Sequence, residues 1–198
     1  MNQPKWDEKY QLDDYLFGTE PNQFLAEYHA ALPKGKVLCL ADGEGRNSVF
    51  LAKLGYQVTA VDMSLVGINK AKKLADANQV SIDFIHANLQ DYAVGENCWD
   101  GIVSIFCHLP VPLRQKLHSG VVAGLKQGGV FMLEAYTPDQ LKHGTGGPAV
   151  TELLMSKATL SLELEGLNFE RLTELERDVQ EGTGHAGQSA VVQLCGRK

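Results

Sequence analysis

The sequence predicts an α/β chain whose doubly wound, mostly parallel sheet ends in an antiparallel hairpin, and three observations carry that expectation. Residues 37–64, VLCLADGEGRNSVFLAKLGYQVTAVDMS, read as strand, glycine turn, helix, strand and terminal acid. After Asp62 helix and strand keep alternating, which favours parallel strands with helices on both faces. The tail differs in kind: residues 169–180 and 188–195 are extended segments joined by a glycine-rich loop, an antiparallel pair closing the sheet edge.

Each element has its own signal. Residues 37–40 are an apolar run suited to a buried parallel strand, and Asp42-Gly43-Glu44-Gly45 is the turn, where glycine lets backbone approach a ligand. From Arg46, Val49, Phe50, Ala52 and Leu54 recur at helical spacing until Gly55; residues 57–61 are a β-branched second strand reaching Asp62. Ser64 caps a helix running to Ala77, residues 82–86 form the third strand and 99–106 the fourth. Pro110 and Pro112 open a helix through Leu125, Gly128-Gly129 ends it, and residues 130–136 are the fifth strand. This is a Rossmann-like order, and ligands of such sheets bind beyond the carboxyl ends of the strands.

The glycine spacing admits two ligand classes. Gly43-x-Gly45-x-x-Ser48 nearly matches the dinucleotide fingerprint, with Ser48 in the third glycine position. A pyrophosphate there would face Asp42 and Glu44 where it needs N–H groups and the positive end of a helix. S-adenosylmethionine carries a sulfonium and an ammonium and no phosphate, so acids in the turn favour it. In either ligand Asp62 can hold two ribose hydroxyls. The plainer alternative leaves Asp42 and Glu44 as solvated acids at a helix start.

Composition narrows the partners. With 198 residues, 44% of them hydrophobic, the chain suits one domain over 1–198: an N-terminal cofactor-covering helical segment at 1–32, a cofactor-binding core at 36–136, and substrate-side helices with the hairpin at 137–198. A net charge of -6 and no Lys/Arg run argue against nucleic acid and leave a small-molecule acceptor. Cys39, Cys98, Cys107 and Cys195 have no CxxC spacing and read as core packing, so no metal is expected. The polar start lacks a signal-peptide core and no run approaches the roughly 18 apolar residues of a membrane span, so the expected compartment is the cytoplasm. Oligomeric state is not legible.

At these residues the chain resembles class I S-adenosylmethionine-dependent methyltransferases, and more narrowly the small bacterial branch similar to the tellurite-resistance and thiopurine methyltransferases. The motifs carrying the resemblance are Trp6-Asp7-Glu8-Lys9-Tyr10, Phe17-Gly18-Thr19-Glu20-Pro21, the Asp42 to Asn47 turn, Asp62, and then SIFCHLP, LEAYTP, GTGGP and EGTGH. It departs from the superfamily at Cys39, usually an acid, and at Ala41, usually glycine; Asp42 can be the displaced acid. The resemblance implies that Ala41, Asp42, Gly43, Gly45, Arg46 and Asn47 face the methionine end, with Arg46 on its carboxylate or on a surface acid. It implies that Tyr10, Phe17 and Gly18 belong to a segment covering the cofactor, while Trp6 packs that segment or touches ligand. Asp62 and Met63 would meet ribose. Asn88 and Leu89 stand where adenine is recognised, Asn88 replacing an acid or simply making a turn. Phe106 ends the fourth strand beside the transferred methyl.

For the methyl acceptor the candidates are His108, Tyr136 and His185. His108 could orient substrate or remove a proton, or be a structural hydrogen-bonder. Glu134 and Tyr136 end the fifth strand, and a carboxylate closing so apolar a run needs a partner or a function. His143 and His185 lie in the glycine-rich stretches LKHGTGGP and EGTGHAG, which could fold over the pocket or merely make turns. His29 and His118 read as surface residues of amphipathic helices and His86 as structural. An ionised soft acceptor, a thiolate or a tellurium or selenium oxyanion, needs no base; a hydroxyl or amine calls for His108 or His185. Two other functions fit the same sequence: an NAD(P)-dependent oxidoreductase, and a non-catalytic S-adenosylmethionine-binding protein.

Overall fold

The computed structural model describes residues 3–198, with side chains from Lys5 onward, so residues 1–2 of the expected N-terminal segment lie outside it. Five parallel strands, β1 (Lys36–Leu40), β2 (Gln57–Asp62), β3 (Asp83–His86), β4 (Trp99–Ile105) and β5 (Leu125–Tyr136), are followed by the antiparallel β6 (Asn168–Glu181) and β7 (His185–Arg197). Their order is β3-β2-β1-β4-β5-β7-β6. Because β1 has β2 on one side and β4 on the other, the crevice of this Rossmann-like sheet opens at the carboxyl ends of β1 and β4. Helices α1 (Gln3–Lys9) and α2 (Gln23–Tyr28) precede the sheet; α3 (Arg46–Lys53), α4 (Leu65–Ala77), α5 (Val111–Gly124) and α6 (Lys157–Glu163) flank it.

The central strands are apolar on both sides because both faces are covered. Alternation along β1 sends Leu38 and Leu40 to one face, with Ile102, Phe131, Leu133, Leu117 and Leu160, and Val37 and Cys39 to the other, with Phe24, Leu51, Val58 and Met132. Cys39, Cys107 and Cys195 are buried, Cys98 is half-buried, and all four are free thiols. Ser64 caps α4 as expected, its hydroxyl accepting from the Gly67 N–H at 3.0 Å. No helix among the described residues is long and apolar enough to cross a membrane.

Three expectations need correcting. Gly128-Gly129 does not end α5: the helix stops at Gly124 and β5 already begins at Leu125, which pairs with Trp99. The register then shifts before Gly101 pairs with Val130, so the glycines sit in an irregularity of the strand. The C-terminal hairpin is longer and its tip tighter than expected, since Glu181 pairs with His185 across residues 182–184. His185 therefore begins β7 instead of riding in a loop. His118 is not a surface residue: it is 3% exposed, its ring 2.7 Å from Glu163, whose carboxylate Arg114 also grips. Burial would raise the Glu163 carboxyl, and His118 and Arg114 outweigh it, holding the group at about 2.

Candidate active site

The half of the site beneath β1 and β2 is built mainly from backbone. Asp62 is 7% exposed, and its two oxygens accept the N–H groups of Gly43 at 2.9 Å and Ser64 at 2.7 Å. Each oxygen keeps lone pairs for a hydroxyl. Burial raises the Asp62 carboxyl against the pull of those N–H groups. Asp42 is pushed up to about 6 by burial, which the Ser48 hydroxyl opposes and the nearby Asp62 charge reinforces. A cation would relieve both acids, which is what a sulfonium with an ammonium tail provides. Gly43 has φ 62°, and a Cβ there would stand 2.7 Å from the Tyr10 hydroxyl, so the N-terminal segment closes directly onto the turn. Ala41 adopts φ 50°, the left-handed conformation, where the resembling enzymes have glycine; such a residue costs about 1–2 kcal/mol. The turn residues thus fit the cofactor's cationic end, and Asp62 fits its ribose.

Other turn residues face away from that cradle. Glu44 is buried, accepts the Leu16 N–H at 2.9 Å and pairs with Lys70. Lys70 donates to the carbonyls of Leu12 at 2.8 Å and Asp14 at 2.7 Å, so this pair anchors the N-terminal segment on α4. Arg46 is committed to Glu181 at 2.5 Å rather than to a free surface acid or an open cleft. Asn47 accepts the Asn22 N–H at 2.9 Å. The reading of Glu44 as a solvated helix-start acid is therefore overturned, and the side chains of Arg46 and Asn47 tie the turn to α2 and the hairpin. At the third strand end, the Asn88 side-chain oxygen accepts the Gln90 N–H at 3.0 Å, making the turn, and Leu89 is a core residue, 3% exposed. Met63, 7% exposed, has its carbonyl bound by the His86 ring at 3.0 Å.

Beyond β4 and β5 the site becomes a cluster of rings. Phe106 stacks on Tyr136 with centroids 4.5 Å apart, and His185 meets Phe17 at 4.5 Å, Phe106 at 4.8 Å and Tyr136 at 5.3 Å. Phe106 itself holds φ 51°, a strained conformation for an aromatic residue at a strand end. The GTGGP loop forms the wall: a Cβ on Gly147 would lie 2.5 Å from the Tyr136 ring. Gln140 holds that loop to β7, donating to Thr145 at 2.9 Å and accepting the Ala190 N–H at 2.8 Å. Phe17 and Gly18 are clasped by the hairpin tip, where the Thr183 and Gly184 N–H groups both donate to the Leu16 carbonyl at 3.0 Å. The Tyr136 hydroxyl is buried without a hydrogen-bond partner among the described residues, and burial, then Glu181, pushes the phenol well above its usual range.

His108 reaches this cluster, its ring 5.5 Å from that of Tyr136, but both its nitrogens are occupied. Nδ1 donates to the Phe106 carbonyl at 3.1 Å and Nε2 accepts the Tyr136 N–H at 3.0 Å. Burial, then the charge of His185, hold it down at about 3. A neutral ring with no free nitrogen cannot take a proton at neutral pH, so His108 fixes the ends of β4 and β5. His143 stands apart, its Nε2 3.5 Å from Glu176.

Sequence reasoning missed the polar network behind the rings. Glu134 is fully buried and bound by Arg177 at 2.6 and 2.9 Å, Asn22 at 2.6 Å and Gln193 at 2.7 Å. Glu181 accepts from Asn22 at 2.7 Å as well as from Arg46. The need for a partner at Glu134 was visible in its apolar strand; Arg177 and Glu181 were not, because a hairpin strand alternating polar residues resembles a solvated edge. Lys70 had a signal too, standing on the same buried helical face as Gly67, Ala71 and Leu74.

The sheet order, the reversed terminal strands and the acidic crevice define the class I S-adenosylmethionine-dependent methyltransferase fold. A family described as "Methyltransferase domain" matches residues 37–129, just under half of the chain, and the cofactor that goes with this fold is S-adenosylmethionine. An uncharacterized methyltransferase of Synechocystis is 32% identical over 114 residues, covering 57% of this chain and 52% of the relative. The tRNA 5-carboxymethoxyuridine methyltransferase of Escherichia coli is 36% identical over 87 residues, covering 43% and 33%. The chain thus spans about half of the first relative's length and a third of the second's. Among solved structures, NodS of Bradyrhizobium japonicum with S-adenosyl-l-homocysteine has a TM-score of 0.74 at 14% identity, covering 99% of this chain and 97% of that one. TehB of Haemophilus influenzae has a TM-score of 0.74 at 19% identity, covering 99% and 66%. At those identities the fold is what is shared. The family match over residues 37–129 and the reversed β6–β7 pair favour a methyltransferase over the oxidoreductase alternative.

Proposed function

We propose that the chain transfers the methyl group of S-adenosylmethionine to a small soft nucleophile, a thiol or a tellurium or selenium oxyanion, in the cytoplasm. One observation carries the reading: the rings of Phe17, Phe106, Tyr136 and His185 gather beside the cofactor crevice under a glycine wall. Such walls suit a small polarisable acceptor. When bound, the cofactor supplies an activated methyl on a sulfonium. Asp62 holds the ribose, Asp42 faces the cationic tail, and Tyr10 and Phe17 exclude water over the reacting atoms. The rings would hold the acceptor beside the activated methyl, and proximity would supply much of the acceleration.

A second reading comes from the Escherichia coli relative, whose name gives it a tRNA substrate. The net charge of -6 and the glycine wall over the rings weigh against an RNA strand entering here. The test is a methyl-transfer screen of thiols, tellurite, selenite, small amines and tRNA, with mass detection of products and of S-adenosylhomocysteine. Methylated thiol or chalcogen product is expected. Transfer to tRNA alone would overturn the acceptor, and cofactor binding without transfer to any acceptor would leave a binding protein.

A further inference from the structure

Resting on that reading, we propose that the acceptor is a thiol still protonated when it enters, that His185 is its proton acceptor, and that Glu181 is the residue positioning His185 for the task. His185 Nδ1 is buried, makes no hydrogen bond among the described residues, and faces Glu181 Oε2 at 3.7 Å. With Nδ1 turned to a carboxylate, Nε2 is the nitrogen left for substrate, in the usual logic of an oriented imidazole. His108 is excluded from the role by its two backbone bonds, which leaves His185 as the other imidazole of the cluster.

Glu181 is built to remain an anion. Burial would raise its carboxyl, and His185, Arg46 and Asn22 more than reverse that, holding it at about 2. The groups facing His185 from the surrounding elements are Glu181 on β6, Tyr136 on β5, Phe106 and His108 after β4, and Phe17 of the N-terminal segment. Of these only Glu181 carries a charge at neutral pH, and Arg46 sits 2.5 Å from the same Oε2 that faces His185.

Charge also selects between the two soft acceptors. Arg46 and Arg177 are matched by Glu181 and Glu134, and Lys70 by Glu44, while Asp42 and Asp62 line the crevice. An oxyanion brought among these acids meets like charge and neutralised cations. A neutral thiol enters without that cost. Its S–H proton passes to His185 Nε2, and the thiolate sulfur bonds the methyl carbon as the sulfonium C–S bond breaks. That electron pair stays on sulfur in S-adenosylhomocysteine, and the imidazolium returns its proton to water. A surface cavity lined by Pro21, Gln23, Arg177, Asp178, Gln180 and Glu181 meets Glu181 from the side away from Tyr136 and His185.

The experiment compares 2-mercaptoethanol, protonated at pH 7, with 4-nitrothiophenol, already ionised there. Glu181→Gln and His185→Gln should each lower kcat/KM for 2-mercaptoethanol by about 100-fold, the usual scale of general-base catalysis, with a loss at least about tenfold smaller for 4-nitrothiophenol. As a readout apart from turnover, nitrogen-15 NMR of His185 in the S-adenosylhomocysteine complex should show one ring tautomer, Nδ1 protonated, in the parent and a loss of that preference in Glu181→Gln. Equal losses with both thiols, or an unchanged His185 tautomer signature, would overturn the dyad and leave a structural network. Methylation of tellurite or selenite but of neither thiol would overturn this inference while sparing the proposed function. Absence of transfer to every acceptor would overturn the function itself.

Discussion

The two halves of the site are made in opposite ways. The cofactor half comes from one continuous stretch, residues 41–64, in which a strand end, a turn and a second strand end place Gly43, Asp62 and Ser64 within mutual hydrogen-bonding reach. The proposed acceptor half draws Phe17, Phe106, Tyr136, Gly147 and His185 from separate segments, and polar bonds behind the rings hold it together. Local geometry suffices to build the first. The second exists only once the hairpin has closed on the N-terminal segment, so its specificity rests on long-range contacts.

That difference can be broken most severely at Glu134. Glu134→Ala leaves the half-buried Arg177 with its nearest other carboxylate at 3.6 Å and Asn22 and Gln193 without their acceptor, and removing one partner of a buried charged pair costs about 3–5 kcal/mol. Urea unfolding should show that loss; a change under about 1 kcal/mol would mean that the network does not hold the acceptor half. A smaller effect is expected where the hairpin meets the N-terminal segment. Gly182 has φ 60°, and a Cβ there would lie 2.3 Å from the Leu16 carbonyl oxygen. Gly182→Ala should therefore destabilise by about 1–3 kcal/mol and expose bonds before Pro21 to protease; an unchanged cleavage pattern would deny the clasp.

Smallest is a change confined to the cofactor half. Asp42 has a folded pKa raised from 3.8 to about 6, so the folded chain binds more protons than the unfolded between those values. Stability should fall as pH rises through that window and stay low above it. Asp42→Asn removes the penalty, raising stability at pH 8 and changing it little at pH 4, while weakening affinity for the cationic cofactor. Urea midpoints at the two pH values check the first effect and calorimetry the second.

The same contrast explains what could be read from sequence. Strands β1 to β4, the α4 cap at Ser64 and the turn beside Asp62 follow from period, glycine and capping chemistry acting over a few residues. Tyr136, His185 and the GTGGP loop were legible as neighbours because strand ends of one sheet share a rim. Their bonding was not. His108 looked like a base until the Tyr136 N–H and Phe106 carbonyl took its nitrogens, and Arg46 looked like a ligand contact until Glu181 arrived from a segment far along the chain. His118 kept helical spacing yet is buried, because α6 brings Glu163 against it.

The most direct measurement is a split between binding and turnover in two variants. Calorimetry with S-adenosylhomocysteine on Asp62→Ala should show an affinity loss of about 1.5–3 kcal/mol, tenfold or more, from losing charge-assisted ribose bonds. His185→Gln should bind the same ligand within about twofold of the parent yet turn over a protonated thiol slowly. Affinity lost in His185→Gln and kept in Asp62→Ala would contradict the division of this site into a cofactor half and an acceptor half.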